Sequence, residues 1–313
     1  MKRREFLHLL PLFCSAVVAR EQRPRTRIIL DTDIGEDIDD AWALGLAITH
    51  NGFDLLGVTI THGNTPARAK IACKLLNVAG RRDVPVFIGR KTNDKVFAQF
   101  SWAEDFSAVK PAEKTAADFI VDAAKRHPGE VTLVGVGPLE NIADALRKEP
   151  GLGRYLKRVV LMSGCVYGAS FSPGKPVREW NVYQSTADAR LVYDAGLPIT
   201  IVPLDSTSYV RLGDPDRKRI AEHGSPLTDA LERLYRLWLT SPTDRMTLHD
   251  QLAVAEAAIP GAFFGRRESL SLVVDEEGYT RIDNARGKVV SVCMEPRRDE
   301  FMEYFCRTLT DPK

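Results

Sequence analysis

The sequence lacks an excess of charge of either sign, and it has few cysteines. Its 313 residues include 43 basic and 42 acidic side chains, which are interspersed and give a net charge of +1. This balance argues against a nucleic-acid-binding stripe and against a polybasic membrane tail. The five cysteines show no CxxC spacing, so we expect buried thiols instead of a disulfide scaffold or a zinc knuckle. We therefore expect a small-molecule partner and no nucleic acid.

The sequence also lacks an apolar run that is long enough to span a bilayer comfortably. The apolar stretch at 6–19 is too short for this role, and it follows Lys2, Arg3 and Arg4. We therefore predict that residues 1–20 are an export signal, which would leave no stable membrane span after its removal. Because the paired arginines precede Glu5-Phe6-Leu7, the signal resembles the twin-arginine type and predicts an exported, periplasmic protein. A retained anchor or a soluble leader stays open as an alternative.

The remainder of the chain alternates between short β-branched runs and longer amphipathic stretches. This rhythm predicts one α/β domain over residues 25–313, with a mainly parallel open sheet that is flanked by helices. Predicted strands lie at 27–30, 55–60, 86–88, 131–136, 158–162, 199–204 and 288–294. Predicted helices lie at 66–79, 113–126, 139–148, 185–195, 226–240 and 249–258, with a hairpin near Gly278 and a closing helix. The long connections 89–112 and 163–181 are expected to form pocket walls or lids.

The strongest local signal is the acidic segment Asp31–Asp40, which follows the first predicted strand and precedes a helix. It contains six acidic side chains in ten residues. In a cleft with little water these carboxylates would need a cation, protons or unusually good solvation. A hard divalent metal with oxygen ligands meets that need, and ligands of α/β proteins bind at the carboxyl ends of the strands.

The composition of this segment is also compatible with four other interpretations. An EF-hand needs glycine at the sixth loop position and glutamate at the twelfth, but Glu36 and Trp42 stand there. A haloacid-dehalogenase-type phosphatase also begins with a strand and an Asp-x-Asp pair, although no convincing later acidic motif follows. A solvated turn that caps the helix at Asp39 is the structural alternative. A non-catalytic, calcium-dependent nucleoside- or sugar-binding protein is the fourth.

The acidic segment resembles the signature of the inosine-uridine preferring nucleoside hydrolase family. Five further segments resemble motifs of this family in the same order: 57–64, 134–143, 160–164, 179–181 and 248–253. The resemblance implies the nucleoside hydrolase fold and a homo-oligomer, either a dimer or a tetramer. It also implies calcium-dependent hydrolysis of the N-glycosidic bond of ribonucleosides, or of related N-ribosides, to ribose and free base.

The resemblance also implies a role for individual residues. Asp33 would take a proton from a calcium-bound water, and His249 would protonate or hydrogen-bond the departing base. A purely structural role for His249 stays open. The Ca²⁺ ligands would be Asp33, Asp40, Asp250 and the backbone carbonyl of Val136. The substrate contacts would come from Asp39, Asn64, Met162, Glu179 and Asn181.

The sequence departs from the family pattern at several positions. Ile34, Glu140 and Gln251 replace a frequent proline, threonine and proline, and the acidic loop is two residues longer than its shortest form, so Asp37 has no clear counterpart. Residues 169–176 contain no asparagine, although the family often places one there to hold the primary hydroxyl of the sugar. Two roles are open for the aromatic residues Trp42, Tyr167, Phe171 and Trp180: stacking on the base of the substrate, or ordinary packing within the protein.

Overall fold

The computed structural model describes residues 25–241 and 243–311, so the predicted export signal at 1–20 lies outside the described residues. One ten-stranded sheet runs through the described part of the chain. Its strands are β1 (Thr26–Thr32), β2 (Phe53–Ile60), β3 (Val86–Ile88), β4 (Ala112–Thr115), β5 (Val131–Gly135), β6 (Leu156–Met162), β7 (Ile199–Val202), β8 (Phe264–Val274), β9 (Thr280–Ile282) and β10 (Lys288–Pro296).

Helices cover both faces of this sheet. They are α1 (Asp39–Thr49), α2 (Thr65–Val78), α3 (Ala116–Arg126), α4 (Glu140–Lys148), α5 (Trp180–Gln184), α6 (Thr186–Asp194), α7 (Leu204–Thr207), α8 (Asp214–Ala221), α9 (Pro226–Trp238), α10 (His249–Ala258) and α11 (Arg298–Thr310). Short 3-10 helices occupy Ala98–Trp102 and Leu152–Arg154. In the described part of the chain, no helix is long and apolar enough to cross a membrane.

The strand order places the first strand in the middle of the sheet. The order is β4-β3-β2-β1-β5-β6-β7-β10-β8-β9, in which β8 pairs antiparallel with β10 and with β9 while the other pairs are parallel. After β1 the chain first builds the sheet outwards through β2, and it later returns to add β5 on the opposite side of β1. Such a reversal opens a crevice at the carboxyl ends of the two strands, where α/β proteins bind their ligands.

The alternation of side chains along β1 separates two hydrophobic layers. Ile28 and Leu30 point into a layer that includes residues of α1, α9, α10 and α11, whereas Ile29 points into a layer that includes residues of α3, α4 and α6. All three side chains are fully buried. The predicted single-domain α/β architecture is confirmed.

The structure differs from the predicted elements at several boundaries. Residues 113–115 were expected to be helical, but they belong to β4. The helix α3 begins at Ala116, because the hydroxyl oxygen of Thr115 caps it by accepting a hydrogen bond from the Asp118 amide. Leu204 was expected to end a strand, but it begins α7. The hairpin near Gly278 is confirmed as β8 and β9, although the bounds of these strands were not predicted. The helix α8 was not predicted, because the charged residues along it obscure its periodicity.

Candidate functional site

A cleft of about 390 Å³ lies at the carboxyl ends of the central strands. Asp33, Val136, Met162 and Leu204 line it, and each lies at the end of a different strand, or just beyond it: β1, β5, β6 and β7. The topology therefore brings together residues that are distant in the sequence, since Asp33 and Leu204 are 171 positions apart, the difference between 33 and 204. The acidic segment that follows β1 forms one wall of this cleft.

Three buried carboxylates converge within the cleft. Oxygen atoms of Asp39, Asp40 and Asp250 all lie within 4.8 Å of one another. Asp39 and Asp40 occupy the first turn of α1, and Asp250 occupies the first turn of α10. The positive end of each helix dipole favours an acidic side chain at these positions. The two helix starts are joined by Gln251, whose side-chain amide donates to the Asp39 carbonyl at 2.7 Å.

The electrostatics of this cluster favour a bound cation. Burial raises the pKa of Asp39, Asp40 and Asp250 well above the ordinary value of 3.8, and repulsion among the neighbouring carboxylates raises it further. A divalent cation would remove the repulsion and replace the lost solvation. The donor set therefore fits a hard metal ion, as expected of an oxygen-rich site.

Asp33 lies beside these three carboxylates and is not part of their close group. Its backbone N–H donates to Asp40 Oδ1 at 3.2 Å, and its side chain faces the buried Arg68 guanidinium at 3.8 Å. Burial raises the pKa of Asp33, while Arg68 acts in the opposite direction. Gly137 permits this packing, because a Cβ atom at that position would lie 2.7 Å from Asp33 Oδ1.

The six acids of the segment have different environments. Asp31 lies outside the cleft lining, where Thr59 and Asn141 donate to its carboxylate, and burial raises its pKa to about 7. Glu36 pairs with Arg68 at 3.2 Å on the cleft wall. Asp37 lines the cleft with an exposed side chain. The count of acids in the sequence therefore overstates the number in the cluster.

Another side of the cleft is formed by the connection between β6 and α5 and by the start of α5. The Glu179 carboxylate accepts bonds from the amides of Gly164, Asn181 and Val182 at 2.8 to 3.1 Å, and burial raises its pKa to about 7. The Asn181 side-chain amide donates to the Val136 carbonyl at 2.8 Å and to the Met162 carbonyl at 3.1 Å. All four of the predicted site residues Val136, Met162, Glu179 and Asn181 line the cleft.

His249 lies at the start of α10 and lines the cleft. Its Nδ1 atom is 2.7 Å from the hydroxyl oxygen of Thr207, the last residue of α7. Burial, together with the charge of the nearby Arg211, lowers the pKa of His249 to about 4. The imidazole is therefore neutral near pH 7, which favours hydrogen-bond donation to the departing base over its protonation.

Asn64 is placed differently from the other predicted substrate-binding residues. It does not line the cleft; its side-chain oxygen caps α2 by accepting from the Ala67 amide at 3.3 Å, and its side-chain nitrogen donates to the Asp94 carbonyl at 3.2 Å. His62, two positions earlier, lies 2.9 Å from the Glu140 carboxylate. Two of the departures from the family pattern, Glu140 and Gln251, thus make specific contacts around the site.

The aromatic residues separate into two groups. Phe171 and Trp180 line the mouth of the cleft and are 66% and 52% exposed, so their rings are available to a planar ligand. Trp42 is fully buried against Tyr235 and Phe305, and Tyr167 does not line the cleft but donates to Glu268. The cleft also contains Arg178, which the sequence analysis did not predict as a site residue. Its position directly before Glu179 was the available signal.

The phosphatase interpretation lacks its expected cation. That chemistry would use a lysine beside the aspartate pair, but the cleft lining formed by the described residues contains Arg178 at the mouth and no lysine. The His249–Asp250 segment, which the phosphatase interpretation leaves unexplained, lies within the cleft.

Comparisons with known proteins give one consistent result. The family model described as inosine-uridine preferring nucleoside hydrolase matches residues 28–303. Probable uridine nucleosidase 2 of Arabidopsis thaliana is 32% identical over 76% of this chain and 79% of its own length. The pyrimidine-specific ribonucleoside hydrolase RihB of Escherichia coli is 34% identical over 64% of this chain and 67% of its own. A solved plant nucleoside hydrolase, 23% identical, has the same fold, with a TM-score of 0.81 over 92% of this chain and 100% of that one.

Proposed function

Since this chain belongs to the inosine-uridine preferring nucleoside hydrolase family and hydrolyses the N-glycosidic bond of ribonucleosides, we propose that the reaction occurs in the acidic cleft with a bound Ca²⁺ ion. The observation that carries this proposal is the convergence of Asp39, Asp40 and Asp250. The phosphatase and the non-catalytic binding protein are set aside, because the relatives are nucleosidases and ribonucleoside hydrolases.

The proposed metal ligands combine the sequence pattern with the geometry. Asp40 and Asp250 belong both to the ligands that the family pattern implies and to the carboxylate cluster of the structure. Asp39 belongs to the cluster alone, and Asp33 and the Val136 carbonyl belong to the implied ligands alone; all three residues line the same cleft. All are oxygen donors, which Ca²⁺ prefers, and the number of available oxygens suits its high coordination number. When bound, the ion supplies positive charge that makes a coordinated water more acidic.

The chain itself supplies the base and the sugar contacts. Asp33 accepts the proton of the attacking water, and the nearby Arg68 guanidinium opposes the rise in the pKa of Asp33 that burial causes. Asp39, Glu179 and Asn181 hold the ribose hydroxyls, and the backbone amides that bind Glu179 fix its carboxylate in one position. These acidic groups also favour the positive charge that develops on the sugar as the bond to the base stretches.

The base would lie at the mouth of the cleft. Phe171 and Trp180 offer apolar surface for stacking, and His249 offers a ring nitrogen to the departing base. Because His249 is neutral near pH 7, it acts by hydrogen-bond donation to the negative charge that collects on the base. Asn64 enters this proposal only as the residue that caps α2.

The first test is ribose release from purine, pyrimidine and nicotinamide ribosides and from p-nitrophenyl riboside. Uridine leads the panel because the names of two relatives refer to uridine and pyrimidine ribosides. We expect release in Ca²⁺, loss of at least about 100-fold in chelator, and recovery when Ca²⁺ is restored. Full activity in chelator would contradict the calcium assignment, and stoichiometric calcium binding without release from any riboside would contradict the reaction.

A further inference from the structure

Helix α7 lies directly behind the cleft and is held firmly in place. Its first residue, Leu204, lines the cleft, and its last, Thr207, is fully buried. Ser206 donates from its hydroxyl to the Cys293 carbonyl at 2.7 Å, and the Thr207 amide donates to the Pro203 carbonyl at 3.0 Å. The Thr207 hydroxyl is therefore carried by a fixed backbone, 2.7 Å from His249 Nδ1.

This contact determines which ring nitrogen of His249 is available to the substrate. Nδ1 is occupied by Thr207, while Nε2 has no hydrogen-bond partner among residues 25–241 and 243–311. A hydroxyl can either donate or accept a hydrogen bond, so Thr207 holds the same ring orientation whichever proton the imidazole carries. When the hydroxyl donates to Nδ1, the hydrogen of a neutral imidazole must be on Nε2.

We propose that Thr207 is a positioning residue for the hydrolysis: its hydroxyl fixes the His249 ring so that Nε2–H faces the departing base. As the C–N bond breaks, its electron pair moves onto the base, and the hydrogen bond from Nε2–H stabilises that charge. The attacking water forms the new C–O bond and gives its proton to Asp33. The inference rests on the proposed role of His249 as the group that contacts the base.

The test compares a substrate that needs a hydrogen bond to its leaving group with one that does not. The leaving group of uridine is the uracil anion, whereas that of p-nitrophenyl riboside is p-nitrophenolate. The uracil anion is the more basic of the two and therefore needs more stabilisation as the bond breaks. For Thr207→Val we expect kcat on uridine to fall by roughly 10- to 100-fold with little change in KM. The reason is that the hydrogen bond from His249 Nε2–H stabilises the base only as the bond breaks and negative charge develops on it. Turnover of p-nitrophenyl riboside should change by less than about threefold. Thr207→Ser, which keeps the hydroxyl, should retain most of the uridine activity.

The chain offers a matched control in Thr132 of β5, which is fully buried and whose hydroxyl has no hydrogen-bond partner. Thr132→Val should leave both substrates unaffected, with the melting temperature recorded for every variant. Unchanged uridine turnover in Thr207→Val, or an equal loss on both substrates, would overturn the inference. His249→Ala separates the two levels of argument: a selective loss of uridine turnover supports the role of His249, and the absence of selectivity would refute that role and this inference with it.

Discussion

At the scale of single residues, environment separates side chains that are chemically identical. Asp31 and Asp39 are both buried aspartates of one segment, but hydrogen bonds from Thr59 and Asn141 hold Asp31 outside the cleft lining, whereas Asp39 faces Asp40 and Asp250. Only a carboxylate with other carboxylates nearby and no cation gains strongly from a metal ion. The metal site is therefore defined by which acids converge and not by how many the segment contains.

The roles of these acids can be separated by calcium binding. We predict that Asp250→Asn lowers calcium affinity by about 100-fold or more, because one charged ligand becomes neutral within a buried cluster. Asp229→Asn serves as the matched control, since Asp229 also lies in the first turn of a helix, α9, but is exposed and does not line the cleft, and we expect the calcium affinity of this variant to stay within about threefold of wild type. Calorimetric titration of chelator-treated protein measures both. Equal affinities in Asp250→Asn and wild type would contradict the proposed ligand set.

At the scale of elements, the two long connections support the site in different ways. The connection 163–181 supplies Phe171, Arg178 and Glu179 to the cleft, which confirms the prediction that it forms a pocket wall. The connection 89–112 does not reach the cleft lining. Instead, its buried Gln99 donates to the carbonyls of Glu36 and Asp37 at 3.2 and 2.9 Å and supports the lengthened acidic loop from behind.

The Asp205 carboxylate of α7 anchors the start of the wall that carries Phe171. Asp205 accepts bonds from the amides of Val166, Tyr167 and Gly168 at 2.6 to 3.1 Å. We predict that Asp205→Asn, which replaces an acceptor oxygen with a donor, speeds hydrogen exchange at these three amides. It should also raise KM for nucleosides by roughly three- to tenfold, because the loop must then be ordered by the substrate.

The control for this variant is Asp83→Asn. Asp83 lies three residues before β3, at the amino end of the parallel strands, where it pairs with Arg81 on the surface. Hydrogen exchange by mass spectrometry and steady-state kinetics should leave Asp83→Asn indistinguishable from wild type. Unaltered exchange at residues 166–168 in Asp205→Asn would show that other contacts hold the wall.

At the scale of the whole molecule, the buried acids link stability to pH and to metal. The native pKa values of Asp31 and Glu179 are raised to about 7, and those of the three clustered aspartates are also well above 3.8, so the native state binds more protons than the unfolded state above about pH 4. Without metal, stability should therefore fall as the pH rises through this range. A cation that binds the ionised cluster opposes this loss.

We therefore predict that Ca²⁺ raises the melting temperature more at about pH 8 than at about pH 5, where protons compete with the ion. Thermal unfolding of chelator-treated protein with and without Ca²⁺ measures this difference. The Asp250→Asn variant controls for non-specific effects of the salt, and it should show little shift at either pH. A calcium-induced shift that is larger at about pH 5 would refute the linkage.

The sequence by itself determined the α/β fold, the family and most of the cleft residues. Short β-branched runs that alternate with amphipathic stretches can be buried only as a parallel sheet between helices, and carboxylates after the first strand must then lie at the carboxyl edge. Asp33 and Asp40 were found in this way, whereas Glu179 and Asp250 were implied by the resemblance to the family; all four line the cleft. The export signal, the homo-oligomer and the calcium assignment stay predictions.

Only the tertiary structure decided what depends on contacts between distant segments. It placed Asp39 in the carboxylate cluster, set Asn64 outside the cleft lining and joined Thr207 to His249 across 42 positions. The orientation of a side chain and the pKa of a buried group depend on neighbours that sequence spacing does not reveal, because packing between distant helices and strands brings them together. The sequence therefore predicted which chemical groups the site contains, while the fold decided which of these groups contact one another.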